Sequence, residues 1–198
     1  MRRLLLLAVL VVGFTGCAGS SDPTRFYVLG PVEAPSAGPR PSAGDLRVGI
    51  RAVELPRYLE RSQIVTRAGA NRLELAEYHQ WGAPLRLAVP TVLSENIARL
   101  LPSDQVQVFP WGRTFTPEAQ VLVEISRLEG ALNADSVLTA RWRILGRGGS
   151  EVRAGTSQLR EPSGRDYESL VAAQSRLLGA LSRDIAEALR TEALRAAK

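Results

Sequence analysis

Alternation of apolar and polar residues recurs along the chain and predicts a series of β-strands, because successive side chains of a strand point to opposite faces. The clearest alternation covers 137–145, where apolar side chains alternate with threonine and arginine. The other predicted strands show the same alternation in shorter or weaker form: 25–29, 46–51, 63–67, 72–78, 105–109, 120–128 and 151–159. A short Gly-containing loop between 63–67 and 72–78 predicts a hairpin.

Two segments show the helical period instead, with an apolar residue at every third or fourth position. In the first segment, 84–101, the periodic residues are Leu85, Val89, Leu93, Ile97 and Leu101. Pro90 removes one hydrogen bond inside this segment, so the helix is expected either to kink there or to begin there. The second helix is predicted from Asp166, a suitable N-cap residue, towards Thr191 or beyond.

The order of these elements predicts an α+β fold, with a mostly antiparallel sheet and two amphipathic helices packed on one of its faces. The antiparallel expectation comes from connections of hairpin length between the predicted strands. Residues 30–44 are rich in Pro, Ala, Gly and Ser, which predicts a flexible or partly extended linker. Apart from that linker, 24–198 is expected to form a single domain, since its length suits one hydrophobic core.

The first sixteen residues have the three parts of an export signal, namely two basic residues, an apolar run and a stretch of small residues. The apolar run, residues 4–14, is too short for a membrane-spanning helix, which needs about 20 residues. We therefore predict a signal peptide over 1–16 and not a permanent membrane span.

Two cleavage sites are compatible with this signal. In the first, the segment 14–17 is a lipobox, so that Cys17 becomes the site of lipid attachment and 17–23 a lipidated tether. In the second, an ordinary signal peptidase cuts after Ala18 and Cys17 is discarded. The position of the only cysteine, at the end of the apolar run, favours lipidation. Because no other cysteine follows, the domain depends on its hydrophobic core and not on disulfides.

The net charge of +5 invites comparison with proteins that bind nucleic acid. Removing Arg2 and Arg3 with the signal leaves 23 of the 25 basic residues against 20 acidic ones, a net charge of +3. The arginines are spread along the chain and interleaved with Glu and Asp. This pattern is typical of a solvated surface, so we expect no nucleic-acid partner.

Catalytic and metal-binding residues are scarce. One histidine and one cysteine cannot supply the three or four ligands of a usual zinc site, so neither a metal nor a cofactor is expected. A serine hydrolase would have to use His79 as its base, and no Gly-x-Ser-x-Gly elbow accompanies it. We therefore predict no catalytic residues and no enzymatic activity, and an exported hydrolase that uses His79 stays as an alternative.

Aromatic residues at predicted loops and strand ends are the remaining candidates for a binding role. They are Tyr58, Tyr78, Trp81 and Trp111. Such residues either cap the core or contact a protein or lipid partner, since Tyr and Trp are enriched at interfaces. The pattern alone leaves both interpretations open.

Several stretches resemble the auxiliary lipoproteins of ABC-type transporters, the PqiC/YmbA family of paraquat-inducible systems. The similar stretches are 25–29, 53–61, 63–67, 77–81, 84–85, 93–97 and 140–143. The more specific elements are Leu-Pro-x-Tyr-Leu at 55–59 and Tyr-x-x-Trp at 78–81, in this order after a lipobox. Gln80 departs from the resemblance, because a basic residue is expected before the tryptophan.

The resemblance implies an outer-membrane lipoprotein on the periplasmic face, since Ala18 is not the Asp that commonly retains such proteins in the inner membrane. Its implied function is that of an accessory subunit of an intermembrane lipid transport system of the MCE/ABC type. The implied partner is an MCE-type periplasmic tunnel protein, and the resemblance also suggests a homo-oligomeric ring of subunits. Our candidate residues for the partner interface are Tyr58, Leu59, Tyr78 and Trp81. The alternative is a lipoprotein that assists assembly of an outer-membrane protein or lipopolysaccharide exporter.

Overall fold

The structure is a computed structural model that describes residues 22–32, 46–101, 103 and 105–196. The predicted signal peptide, Cys17 and most of the predicted linker lie outside these residues. The strands are β1 Arg25–Tyr27, β2 Val48–Ile50, β3 Gln63–Gly69, β4 Arg72–Trp81, β5 Val106–Val108, β6 Ala119–Glu129, β7 Asp135–Leu145 and β8 Glu151–Pro162. The helices are α1 Leu85–Leu100 and α2 Tyr167–Ala196, with a short 3-10 helix over Arg57–Leu59. Each predicted strand and helix is therefore confirmed.

The strands form two sheets, one with the order β1-β4-β3 and one with the order β5-β2-β6-β7-β8. The α+β class is confirmed, and the longest strand pairs are antiparallel, but the pairing is mixed and not purely antiparallel. β3–β4, β6–β7 and β7–β8 are antiparallel, whereas β1–β4, β2–β5 and β2–β6 are parallel. Short turns join only the antiparallel pairs. The parallel pairs join strands separated by long connections, which a count of hairpin turns does not reveal.

Both helices pack on one face of the five-stranded sheet and against each other, as predicted. The predicted apolar stripe of α2 is buried: Leu170, Leu177, Leu178, Leu181, Ile185 and Leu189. Helix α1 begins at Leu85 and continues through Pro90, so a helix start at Pro90 is wrong. At the start of α2, Ser169 N donates a 2.8 Å hydrogen bond to Asp166 Oδ1, which confirms the predicted N-cap.

Strand β7 shows how the large sheet joins the helices. Its inward residues are buried, and the indole of Trp142 lies where Gly155 of β8 has no side chain. Trp142 Nε1 donates to Ser157 Oγ at 3.2 Å, and Ser157 Oγ donates to Asp184 Oδ2 of α2 at 2.6 Å. This chain of hydrogen bonds satisfies the indole N–H and connects the edge strand to α2.

The first residues of the predicted linker lie between the two helices. Gly30 N donates to Ser175 Oγ at 3.1 Å, and Val32 N donates to Asn96 Oδ1 at 2.9 Å. The side chain of Val32 occupies the space that Gly179 leaves on α2. Residues 30–32 are thus packed against the domain, while 33–44 lie outside the described residues.

Candidate partner-docking surface

The four residues predicted to form a partner interface do not form one cluster. Tyr58 and Leu59 belong to the 3-10 helix, whereas Tyr78 and Trp81 lie near the end of β4. Leu59 and Trp81 are buried in the core, with 3% and 7% of their surface exposed. Tyr58 and Tyr78 are half-buried. Their contact with a partner stays a prediction.

The side chain of Tyr58 points to a buried carboxylate. Its hydroxyl donates to Glu129 Oε2 at 3.1 Å, and Arg67 donates to both oxygens of Glu129, from Nε at 2.6 Å and from Nη2 at 2.8 Å. Arg127 Nε adds a third charged bond, to Oε1 at 2.9 Å. The Glu129 side chain is only 1% exposed, so these donors provide the partners that a buried charge requires.

Protonation in this cluster follows from burial and from these bonds. Burial of Glu129 raises the pKa of its carboxyl, but the hydrogen bonds from Arg67, Arg127 and Tyr58 outweigh this effect and the net pKa is below its ordinary value. Burial, and then the charge of Glu129, raise the pKa of Tyr58 to about 12. Tyr58 therefore stays a neutral donor to a charged acceptor.

The Glu129 cluster lies where the two sheets meet. Arg67 belongs to β3 of the small sheet, whereas Arg127 and Glu129 belong to β6 of the large sheet. Beside them, Arg67 N donates to Gly130 O at 2.9 Å, which continues the contact through the backbone. Tyr58 thus has a structural role, since it helps to hold the small sheet against the large one.

An aromatic group holds the other side of the small sheet. The hydroxyl of Tyr27 and Nδ1 of His79 are 2.7 Å apart, and the ring of His79 stacks on Tyr167 of α2 with 3.9 Å between ring centroids. Burial, and then the charge of Arg25, lower the pKa of His79. These contacts give His79 a packing role between β4 and α2.

Neither a metal site nor a membrane-spanning helix is found in the part of the chain that the structure describes. Within it, no group of three or more His, Cys, Asp or Glu residues is placed to hold a metal ion. None of its helices is both long and apolar enough to cross a bilayer.

Exposed apolar side chains are concentrated on one side of the molecule. Among the described residues, the large exposed apolar side chains are Phe26, Val28, Leu75, Leu87, Phe109 and Val152. Four of these six line a row of neighbouring surface hollows: Phe26, Val28, Leu87 and Phe109. Contiguous exposed apolar surface on a folded domain usually marks a site of contact with a protein or a membrane.

The N-terminal half of α1 forms a ridge between these hollows. On one side, a hollow of about 330 Å³ lies between α1 and the residues that follow β1, with Trp81 in its wall. On the other side, a hollow of about 610 Å³ lies between α1, the segment 52–57 and β5. Leu87 and Phe109, which are 55% and 49% exposed, border the second hollow. We call Leu87, Phe109 and these two hollows the ridge surface.

Charged side chains border the apolar centre of the ridge surface. Arg57, Glu60 and Arg86 line the larger hollow together with Leu87 and Phe109. Both signs of charge are present, so a partner that binds here needs an apolar centre and a mixed polar rim. This is the usual anatomy of a protein–protein interface.

Sequence reasoning missed Leu87 and Phe109, although one signal was available for Leu87. The buried stripe of α1 passes through Leu85, Val89 and Leu93, and Leu87 lies off that stripe on the exposed side. An apolar residue on the polar side of an amphipathic helix is a candidate contact residue. Phe109 follows a short strand, and no feature of the pattern distinguishes it from a core residue.

Comparison with known proteins agrees with the fold. A protein-family model described as ABC-type transport auxiliary lipoprotein component matches residues 27–186. The crystal structure of a Xanthomonas campestris protein is similar with a TM-score of 0.74 and 13% identity, over 88% of this chain and 100% of that one. Another crystal structure, of an uncharacterized protein, has a TM-score of 0.68 and 18% identity, over 85% of this chain and 99% of that one. A search of curated proteins finds no significant match.

Proposed function

The chain belongs to the family of ABC-type transport auxiliary lipoprotein components, and from that membership we propose that it serves an intermembrane lipid transport system of the MCE/ABC type. In this proposal, Cys17 carries the lipid that holds the chain at the periplasmic face of the outer membrane. The folded domain docks the end of an MCE-type periplasmic tunnel protein. It binds and positions its partner and performs no chemistry of its own.

The ridge surface is the observation that supports docking. Its apolar side chains, Leu87 and Phe109, are about half exposed to solvent. Each could bury its exposed surface against a partner. Burial of large apolar side chains is the main source of affinity in protein–protein association. The ridge is also rigid, because α1 is packed on the large sheet through Val89 and Leu93. A preformed surface loses little conformational entropy on binding.

The outward face of the large sheet is a poorer candidate for docking. It contains a larger hollow, of about 690 Å³, but five of the twelve residues that line it are charged. Arg141 Nη2 and Glu124 Oε1 are paired there at 3.1 Å. A partner that covered this pair would have to remove water from both charges, which costs free energy. It would gain little in return, because the two charges are already paired with each other.

Affinity recovery from detergent-solubilised envelopes tests the proposal. The chain is recovered in its native form, as Cys17→Ala, as Leu87→Glu and as the control Val152→Glu, and the partners are identified by mass spectrometry. Val152 is a suitable control because it is 42% exposed but lies on β8, away from the ridge surface. We expect the native chain and the control to recover an MCE-type protein equally. Leu87→Glu should lower this recovery about tenfold, as loss of a central contact does.

Each other outcome has a distinct meaning. Recovery of an outer-membrane barrel protein alone would replace the docking proposal with the assembly alternative. Equal recovery by Leu87→Glu and the native chain would leave the transport role intact but remove the ridge surface from it. Cys17→Ala tests the anchor in cells in which the chain is no longer membrane-bound. If this variant recovers as much of the MCE-type protein as the native chain does, the anchor does not serve docking.

A further inference from the structure

Strand β1 and the two residues that follow it have apolar side chains on both faces. Tyr27 contacts His79 and Leu29 is buried, so these two residues face the domain. Phe26 and Val28 point the other way and are 67% and 72% exposed. A strand with one solvated face normally presents polar residues there, so an outward Phe and Val indicate an apolar partner outside the domain.

The position of β1 in the chain limits what that partner can be. Arg25, the first residue of β1, is eight residues after Cys17. A fully extended chain spans at most about 3.3–3.6 Å per residue, so the lipid on Cys17 lies within about 30 Å of β1. No other described strand or helix follows the predicted anchor so closely. The membrane that receives the lipid is therefore always near Phe26 and Val28.

We call the exposed side chains of Phe26 and Val28 the β1 patch. Its small size also favours a lipid surface over a protein as the partner. A phenylalanine side chain offers at most about 150–250 Å² of surface to a partner. Two side chains therefore provide far less than the roughly 800 Å² per partner of a stable protein interface. A bilayer needs no minimum contact area, because the anchor already holds the chain against it. The β1 patch has only to select an orientation.

The surroundings of β1 suit the interfacial region of a bilayer. Beside the strand, a hollow of about 520 Å³ separates β1 from the start of α2, with Val171 and Ala172 in its wall. Arg25 and Glu168 line the same hollow. An aromatic ring next to an arginine matches the headgroup level of a membrane, where rings and basic side chains are both accommodated.

We propose that Phe26 and Val28 insert into the periplasmic leaflet of the membrane to which the chain is anchored, so that β1 is the membrane-facing side of the domain. This inference rests on the lipid anchor of the proposed function. Val28 also lines the smaller hollow of the ridge surface, so the two contacts adjoin. Phe26 and Val28 contact lipid, and Leu87 and Phe109 contact the protein partner. Together they would fix the orientation of the domain on the membrane.

Tryptophan quenching by brominated lipids tests the proposal. The full acylated chain is reconstituted as Phe26→Trp and as the control Val152→Trp in vesicles of phosphatidylethanolamine and phosphatidylglycerol, with and without bromine on the acyl chains. The parent chain provides the background from Trp81, Trp111 and Trp142. Mass spectrometry establishes acylation of Cys17 in each sample. We expect bromine to reduce the added emission of Phe26→Trp and to leave that of Val152→Trp unchanged.

The outcomes separate the membrane contact from the anchor. Equal emission of Phe26→Trp in both kinds of vesicle, with Cys17 acylated, would overturn the membrane contact and leave the anchor standing. Unacylated Cys17 would overturn both. An unquenched Phe26→Trp, combined with lower recovery of an envelope protein by Phe26→Ser, would assign β1 to a protein partner.

Discussion

The outward sides of β7 and β1 differ in what they leave uncovered. On β7, outward Arg141 and Arg143 pair with Glu124 and Glu151 at 3.1 and 3.9 Å, while the opposite side of the strand is buried under α2. On β1 and directly after it, the outward side chains are Phe26 and Val28, and most of their surface is left uncovered by the described chain. The charged side chains on the outward side of β7 are thus paired within the domain. The apolar side chains of Phe26 and Val28 can be buried only by another molecule.

This contrast separates stability from interaction. The buried layer between the large sheet and the two helices contains most of the core, so we expect substitutions there to act on folding. Substitutions at the exposed apolar residues of β1 and the ridge surface should leave folding nearly unchanged and act on binding. Residues at the junction of the two sheets should have an intermediate effect on stability.

The largest expected loss of stability comes from Leu138→Ala in β7. Leu138 is fully buried, so truncation removes apolar contacts and leaves a cavity that costs about 3 kcal/mol of unfolding free energy. Urea unfolding followed by circular dichroism measures the loss. Leu75→Ala, at a residue that is 50% exposed, is the matched control and should cost much less. Equal losses would remove the distinction between the two regions.

The next largest effect is expected from Glu129→Ala, at the junction of the sheets. The substitution leaves Arg67, Arg127 and Tyr58 without their shared acceptor. Loss of one partner from a fully buried ion pair costs about 3–5 kcal/mol, and partial exposure of both arginines reduces the expected loss to about 2 kcal/mol. Glu124→Ala, which breaks a surface pair, should change the unfolding free energy by about 0–1 kcal/mol. Similar losses would contradict a special role for Glu129.

Acid should weaken the same junction. The net pKa of Glu129 is below its ordinary value, so the unfolded chain binds a proton more readily than the folded chain does. The stability that ionised Glu129 contributes is therefore fully present above pH 4.5, the ordinary pKa of a glutamate carboxyl. It is lost as the pH falls through the lower pKa of Glu129 in the folded chain. Urea unfolding over a pH series should show a flatter acid limb for Glu129→Gln than for the native chain. Parallel limbs would contradict this assignment.

A smaller effect is expected from Tyr58→Phe. The substitution removes one of the donors to Glu129 and keeps the ring, so it should cost about 1.5 kcal/mol, the lower value for a hydrogen bond to a charged group. Thermal or urea unfolding measures the change. Tyr78→Phe serves as the control, because the hydroxyl of Tyr78 interacts with the exposed Glu77 and not with the Glu129 cluster, and it should change stability far less than Tyr58→Phe does. An unchanged unfolding free energy for Tyr58→Phe would contradict a role of the Tyr58 hydroxyl in holding the two sheets together.

The smallest effect on stability is expected from Phe26→Ser. Because the side chain is mostly exposed, the unfolding free energy should change by no more than about 0.5 kcal/mol. Urea unfolding in the absence of lipid checks this value. A large loss would show that Phe26 belongs to the core of the domain and would end the contrast with β7.

The elements of the fold could be predicted from the sequence because they depend on local periodicity. The buried stripe of α2 and the alternation of β7 are both recovered in the structure. The parallel pairing of β2 with β5 and β6 could not be predicted, since it joins segments far apart in the chain. Long-range pairing has no periodic signal.

The candidate site was harder to predict than the fold. Glu129 resembles any charged residue at a strand end, and it is buried where Arg67 of the other sheet meets it. Trp81 and Leu59 belong to the stretches that carry the family resemblance, but the structure places both in the core. Exposure of Leu87 and Phe109 depends on how α1 packs against its neighbours. The helical period predicts which side of α1 is buried, but not which segments cover the other residues.

Photocrosslinking in intact cells is the sharpest test of docking through the ridge surface. A photoreactive amino acid is placed at Leu87 in one chain and at Val152 in another, and the crosslinked products are identified by mass spectrometry. We expect a crosslink from position 87 to a transporter protein of the MCE type, and none to that protein from position 152. Crosslinks to the transporter from both positions, or from position 87 only to an outer-membrane barrel, would contradict it.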